Sequence, residues 1–177
     1  MQGNYGNHGQ GQFQQQQGGH NGPQLRNLFQ WVPASNGTIP PNAVQGGREG
    51  DGKPLYIARA FYKGGLQPGK AAPHLDGAYI AYDGKEVQLK EYFVLCGPGK
   101  ALRWVACHGS VNFAGANVQP VSECHEESGE PLFIAKASYD GGEQIGKAGP
   151  HLRNGMVFGY ADKERSAKEY FVLAYEN

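Results

Sequence analysis

The sequence predicts an all-β protein, a sandwich or a barrel, on the strength of two observations. From Leu25 onward, short apolar runs are separated by Gly, Pro, Asn and Asp, at a spacing of about eight to twelve residues that is typical of such folds. The second observation is a duplication, since "PLYIARAFYKGGLQPGKAAPHL" at 54–75 recurs as "PLFIAKASYDGGEQIGKAGPHL" at 131–152. We therefore expect one compact body built from two copies of a β unit.

The duplication extends on both sides of this segment. Trp31-Val32 recurs as Trp104-Val105, and "GKEVQLKEYFVL" recurs as "DKERSAKEYFVL". These matches place repeat one at about 31–96 and repeat two at about 104–177, within a domain of 25–177. With 39% hydrophobic and 18% charged residues, the chain can bury one modest core.

Alternation along the strand after Pro54 predicts which side chains share a face. Two aromatic residues enclose two alanines on one face in each copy, at Tyr56, Ala58, Ala60 and Tyr62 and at Phe133, Ala135, Ala137 and Tyr139. Small residues between aromatic ones predict close packing against a second layer. The "EYFVL" segments at 91–95 and 169–173 are apolar on both faces, which predicts central strands.

The first 24 residues differ sharply from the rest of the chain. They are mostly Gln, Gly and Asn with scattered aromatic residues, as in "GQFQQQQGGH". Such a segment buries too little apolar surface to offset the entropy of ordering, so we predict a disordered tail at 1–24. Two roles are open for it, a solubilising segment or an element that self-associates.

Charge and hydropathy argue against nucleic acid and membranes as partners. Lys+Arg and Asp+Glu number 16 each, and no long basic run occurs, so the chain has no electrostatic footprint for nucleic acid or for anionic lipid. No apolar run has membrane-spanning length, and "MQGNYGNHGQ" lacks the basic and apolar regions of a signal peptide. We expect no membrane insertion and a cytoplasmic location by default, with unconventional secretion as the alternative.

Cysteine usage gives no support for a disulfide framework or a metal site. Three cysteines are an odd number, and two of them form the pairs Cys107-His108 and Cys124-His125. Neighbouring residues on a strand point to opposite faces, so neither pair chelates a metal readily. We expect no metal and no cofactor.

Two glycine-rich segments, which we expect to form loops, fit the spacing of a phosphate-binding loop without its chemistry. In "GGLQPGK" and "GGEQIGK", the next residue is Ala71 or Ala148 where a hydroxyl would hold magnesium, and a proline follows where a helix should begin. The sequence contains neither G-x-S-x-G nor H-E-x-x-H, and a structural role is favoured for the repeated His74 and His151. We expect a protein that is not an enzyme.

Polar residues at matched positions in both copies are the candidates for binding. These are Lys70 with Lys147 and Glu49 with Glu126. A carboxylate accepts hydrogen bonds from adjacent hydroxyls, an ammonium donates several, and nearby glycines let a ligand approach the main chain. This set suits a sugar. The alternative is structural, with each lysine bound to carbonyl groups and each glutamate a solvated loop charge.

Several ordered motifs resemble the DM-nine repeat family. They are "WVPASNGTIPPNAVQGG", "PLYIARAFYKGGLQPGK", "HLDGAYIAYDGKE" and "KEYFVL", and the resemblance runs from Trp31 to the C-terminus. Repeats of this family also occur beside pore-forming modules in natterin-like proteins. The resemblance implies a mannose-binding lectin like those of invertebrate innate immunity. In these, two repeats intertwine into one β-sandwich-like body that forms a homodimer and binds sugar without a metal.

The resemblance also implies which residues bind the sugar. In the family, an Asp before the "LYIARA" strand and the Lys closing the "PGK" turn bind mannose. The lysine carries over to Lys70 and through the repeat to Lys147, and the acid carries over to Glu49 and Glu126. Glu in place of Asp leaves the preferred sugar open, and Asp51 is a rival for the acid in the first copy.

The sequence therefore predicts a carbohydrate-binding protein that recognises mannose-type glycans, in pathogen recognition. Two sites on one body raise avidity for a surface that presents many sugars. The alternative is a structural or assembly protein, in which the Gln/Gly tail self-associates and the β module binds a protein partner.

Overall fold

The computed structural model describes residues 25–177, and over this range the predicted all-β class is confirmed. The first copy supplies β1 (Gln30–Ser35), β2 (Gln45–Arg48), β3 (Pro54–Tyr62), β4 (Gly65–Ala72), β5 (Gly77–Tyr82), β6 (Lys85–Leu89) and β7 (Glu91–Cys96). The second copy supplies β8 (Leu102–His108), β9 (Cys124–His125), β10 (Pro131–Tyr139), β11 (Gly142–Ala148), β12 (Met156–Tyr160), β13 (Lys163–Ala167) and β14 (Glu169–Tyr175). Short 3-10 helices lie at Pro73–Leu75 and Gly99–Ala101.

Two predictions from the sequence concern the N-terminal tail and the membrane. The predicted disordered tail, residues 1–24, lies outside the described residues. Within 25–177, no helix is long and apolar enough to cross a membrane.

The strands form one hydrogen-bonded network in which the two copies are intertwined. The order is β1-β7-β3-β2-β11-β12-β13-β6-β5-β4-β9-β10-β14-β8, and further pairings join β3 to β4 and β10 to β11. The copies meet at β2 with β11, at β4 with β9 and at β6 with β13. Because each copy pairs with strands of the other, neither copy forms a complete sheet alone.

The largest core is shared between the copies. It includes Leu55, Ile57 and Leu95 from the first copy, packed with Ile134 and Leu173 from the second. Smaller clusters belong to one copy each, and they contain the alanines predicted to pack closely: Ala58, Ala60, Ala135 and Ala137. Burial of apolar surface between the copies therefore stabilises the whole body as one unit.

The "EYFVL" segments are less buried than predicted. As expected, β7 lies between β1 and β3, and β14 lies between β8 and β10. Phe93, however, is only half-buried, and Phe171 is 40% exposed. Arg59 covers part of this face, since its guanidinium carbon lies 4.4 Å from the centre of the Trp31 ring and 5.6 Å from that of Phe93. A cation stacked on aromatic rings thus replaces a second apolar layer.

The glycine-rich segments expected to form loops are strands. Every residue of β4 is buried, and β11 is almost as enclosed. A Cβ atom at Gly69 would collide with the carbonyl oxygen of Tyr79, and one at Gly146 would collide with that of Val157. The expectation that these glycines open the main chain to a ligand is wrong, because the neighbouring strand fills that space.

Gly69→Ala should therefore destabilise the protein. We expect a loss of about 1–3 kcal/mol in the free energy of unfolding, as for overpacking elsewhere in protein cores. Urea unfolding followed by circular dichroism measures it. The matched control is Gly99→Ala, where the added methyl group meets open space and a change within about 0.5 kcal/mol is expected. Equal stability of the two variants would contradict the packing assigned to β4.

Candidate functional site

Three polar side chains form what we call the first cluster, Glu49, Lys70 and Gln144. The Nζ of Lys70 donates a hydrogen bond of 2.6 Å to Oε1 of Gln144. The Nε2 of Gln144 in turn donates to Oε1 of Glu49 at 3.3 Å. A glutamine from the second copy thus joins the two residues that the sequence selected in the first copy.

The second cluster, Glu126, Lys147 and Gln67, repeats this arrangement with the copies exchanged. The Nζ of Lys147 donates to Oε1 of Gln67 at 2.7 Å, and Nε2 of Gln67 donates to Oε1 of Glu126 at 2.8 Å. Here the lysine and glutamate also approach directly, with 3.8 Å between Nζ of Lys147 and Oε1 of Glu126. Each predicted glutamate therefore lies beside its predicted lysine, linked by a glutamine of the opposite copy.

Both lysines are buried, which changes their acidity. Lys70 is 3% exposed and Lys147 is 5% exposed. Desolvation lowers the pKa of Lys70, and the carboxylates of Glu86 and Glu49 oppose it. Desolvation likewise lowers the pKa of Lys147 against the opposing charges of Glu126 and Glu164. The carboxylates and glutamine oxygens stabilise each buried ammonium against the cost of its desolvation.

A tyrosine of the opposite copy lies beside each lysine. The centre of the Tyr160 ring is 5.6 Å from Nζ of Lys70, and that of Tyr82 is 5.4 Å from Nζ of Lys147. Each of these rings packs edge-on against a second tyrosine, Tyr139 or Tyr62, with ring centres 5.0 Å apart. Each cluster thus has an aromatic neighbour as well as charged groups.

Each glutamate lies at the start of a tight turn, and the two turns have the same hydrogen bonds. The backbone N–H of Glu49 donates to the carbonyl of Lys53 at 2.8 Å, and that of Gly52 donates to the carbonyl of Glu49 at 3.0 Å. Glu126 makes the matching bonds in the second copy. Gly52 and Gly129 have φ values of +91° and +94°, a backbone conformation that residues with a side chain rarely adopt. The turns before β3 and β10 therefore depend on glycine to place each acid.

Asp51, the rival acid, is engaged within its own turn. It is exposed, accepts a hydrogen bond from the backbone N–H of Lys53 at 3.0 Å, and lies 3.5 Å from the ammonium of the same lysine. The backbone hydrogen bond lowers the pKa of Asp51. The geometry favours Glu49 over Asp51 as the acid beside Lys70.

Surface grooves lie elsewhere on the described part of the molecule. One of about 830 Å³ is lined by residues that include Ala34, Phe61 and Phe93. A second, of about 570 Å³, occupies the matching place in the other copy, where Ser138 stands for Phe61. Neither of these two grooves contains the predicted lysines or glutamates.

The cysteine–histidine pairs do not form a metal centre in residues 25–177. No group of three or more His, Cys, Asp or Glu residues there could hold a metal ion. Cys124 is buried while His125 is exposed, as expected for neighbours on a strand. Burial raises the pKa of the Cys124 thiol to about 12, which keeps it protonated and unreactive at neutral pH.

The two glutamines that complete the clusters were not among the residues predicted from the sequence. Gln67 and Gln144 stand three positions before their own lysines in "GLQPGK" and "GEQIGK". This spacing, repeated in both copies, was the one pattern in the sequence that could have indicated a role for the glutamines. Their partners, however, are the lysines of the opposite copies, which no local pattern indicates.

Comparison with known proteins identifies the repeat and supports the fold. The family model of the DM9 repeat matches residues 23–89 and 56–167. This is the DM-nine repeat family that the sequence motifs resemble. No curated protein matches the sequence. The crystal structure of the nematode sperm cell motility protein MFP2B is similar in fold, with a TM-score of 0.61 and 18% identity. The match covers 83% of this chain and 46% of MFP2B, so the chain spans less than half of that protein.

The lowered pKa of Lys70 predicts a pH dependence. In the unfolded chain Lys70 holds its proton up to about its ordinary pKa of 10.5, so below that value the unfolded state binds more protons than the folded state. Stability contributed by this residue therefore rises with pH as 10.5 is approached. The free energy of unfolding of the wild type should rise relative to that of Lys70→Met as the pH is raised toward 10.5.

Urea unfolding at a series of pH values measures this difference. Cysteines and tyrosines titrate in the same range, but they are common to both proteins and cancel when the two are subtracted. A difference that falls with pH would mean that folding raises the pKa of Lys70, contrary to the burial described above.

Proposed function

Because the chain belongs to the DM9 repeat family, we propose that it is a non-enzymatic protein that binds mannose-type glycans. The observation that carries the proposal is the duplicated cluster in which a glutamine links a carboxylate to an ammonium. An acceptor and a donor held side by side match two adjacent hydroxyl groups of a sugar. The same arrangement at two matched places supports a ligand rather than a chance polar contact.

The contacts suggest how a sugar is held. One hydroxyl donates to the carboxylate of Glu49 or Glu126, and its neighbour accepts from the lysine of that cluster. Hydrogen bonds to charged groups are short and strong. The rings of Tyr82 and Tyr160 offer apolar surface to the C–H groups of the sugar. Because the lysines are nearly buried, the site suits a single terminal sugar rather than the interior of a long glycan.

Two copies of a sugar site suit a multivalent ligand. For a single site we expect a dissociation constant of about 1 mM, or roughly −4 kcal/mol. Two sites on one body raise avidity by roughly 10²-fold or more on a surface that presents several sugars. A homodimer, as the family resemblance implies, would carry four. Microbial surfaces are dense arrays of this kind, which supports a role in pathogen recognition.

A second candidate is a module that binds a protein partner within an assembly. It is favoured by Phe61, which is 68% exposed in the larger groove, away from both clusters. The nematode protein of similar fold is described as a sperm cell motility protein. The two candidates differ in their ligand, since one needs the buried lysines and the other needs the exposed phenylalanine.

Calorimetry with mannose and a mannotriose tests the first candidate. The wild type should release heat on titration, and Lys70→Met/Lys147→Met should bind at least about 10-fold more weakly, since it loses charged hydrogen bonds. Methionine retains the apolar stem of lysine, which limits the loss of packing. The matched control, Lys100→Met/Lys168→Met, replaces two exposed lysines and should bind as the wild type does.

Circular dichroism confirms beforehand that all three proteins fold. A folded wild type that binds no member of a wider sugar panel contradicts the proposal and leaves the protein-binding module as the better candidate. Undiminished binding by Lys70→Met/Lys147→Met also contradicts it, because the sugar would then bind elsewhere.

A further inference from the structure

The two clusters differ in how many acceptors surround the lysine. In the first cluster, Nζ of Lys70 donates to Gln144 at 2.6 Å and to the backbone carbonyl of Gly159 at 2.8 Å, and it lies 3.5 Å from Oε2 of Glu86. An ammonium has three N–H groups. The first cluster therefore uses two of these three groups in hydrogen bonds and pairs the ammonium with a carboxylate as well.

The second cluster leaves its lysine less occupied. Among residues 25–177, Nζ of Lys147 makes one hydrogen bond, to Gln67 at 2.7 Å, and one longer ion pair, to Glu126 at 3.8 Å. Glu164 is the counterpart of Glu86 in the repeat, but its Oε2 accepts a hydrogen bond from the backbone N–H of Gly84 at 2.7 Å. The carboxylate that reaches the lysine in one cluster is thus directed elsewhere in the other.

One sequence difference between the copies accounts for this contrast. The side chain of Glu86 lies directly over Gly159, where an added Cβ would be 2.7 Å from its Cγ and 2.8 Å from its Oε2. The matching residue in the first copy is Ala81, which is buried at 2% exposure. The first copy thus has a methyl group at the position where the second copy, at Gly159, leaves room for the side chain of Glu86.

We propose that Glu86 is an internal occupant of the first cluster, and that sugar binds preferentially at the second. This inference rests on the proposed function. The carboxylate of Glu86 takes the position that a sugar oxygen needs at Lys70, whereas Lys147 retains donor capacity for a ligand hydroxyl. Gly159 and Ala81 are then the residues that determine which site is open.

Displacing Glu86 is costly because its ion pair with Lys70 is enclosed. The side chains of Lys70 and Glu86 are 4% and 10% exposed. A buried carboxylate that loses its partner is poorly solvated, so a neutral hydroxyl competes weakly for the same ammonium. At the second cluster the ion pair between Lys147 and Glu126 is longer, 3.8 Å, and its carboxylate is 24% exposed, so it competes less strongly for the ammonium. Oε2 of Glu126 also lies 3.4 Å from Nε2 of His151.

Single substitutions separate the two sites by calorimetry with mannotriose. We expect Lys147→Met to weaken binding at least about 10-fold and Lys70→Met to change it less than about 2-fold. Gly159→Ala moves Glu86 away from Lys70 and should strengthen binding at the first cluster toward that at the second. Ala81→Gly, its reciprocal, should weaken binding at Lys147. Equal losses in the two lysine variants, or loss in Lys70→Met alone, would overturn the inference.

A measurement without sugar keeps this test separate from the proposed function. Exchange of the lysine ammonium protons with water, followed by ¹⁵N nuclear magnetic resonance, should be slower for Lys70 than for Lys147. In Gly159→Ala it should become faster at Lys70 only. If the wild type binds no sugar but Lys70 exchanges more slowly, the proposed function fails while the internal occupancy by Glu86 stands. Equal exchange at the two lysines overturns the occupancy, whatever the sugar result.

Discussion

A buried lysine ammonium that takes its acceptor from the other repeat is the constraint on which the structure depends. Lys70 and Lys147 lie in the most enclosed strands of the protein, where an unpaired charge would be strongly destabilising. Their acceptors, Gln144 and Gln67, belong to the opposite copies. The repeats must therefore fold together, as the apolar core that they share also requires.

The same exchange links stability to the proposed sugar sites. Each cluster is complete only when both copies are in place, because the lysine and glutamate come from one copy and the glutamine and tyrosine from the other. A ligand at either cluster would contact both copies at once. Buried polar networks specify a single arrangement most strongly when every group is satisfied, and the first cluster comes closer to this than the second.

Much of this architecture could be predicted from the sequence, because alternation and duplication are local patterns. They predicted the strands, the two copies and the packed alanines, and the family resemblance pointed to the two lysines and two glutamates. The glycine-rich segments were misread as loops because glycine is normally depleted in strands, and only the neighbouring carbonyl of Tyr79 explains Gly69. Contacts between copies, such as Lys70 with Gln144, depend on tertiary structure and leave no local pattern.

A double-mutant cycle tests the exchange between copies most directly. Urea unfolding of Lys70→Met, Gln144→Leu and the double variant gives the coupling free energy of this pair, which we expect to be about 1–3 kcal/mol. The control cycle pairs Lys70→Met with Gln67→Leu, a glutamine of the same copy that bonds the other lysine, and should give less than about 0.5 kcal/mol. Coupling to Gln67 as large as that to Gln144, or none to Gln144, would contradict the account.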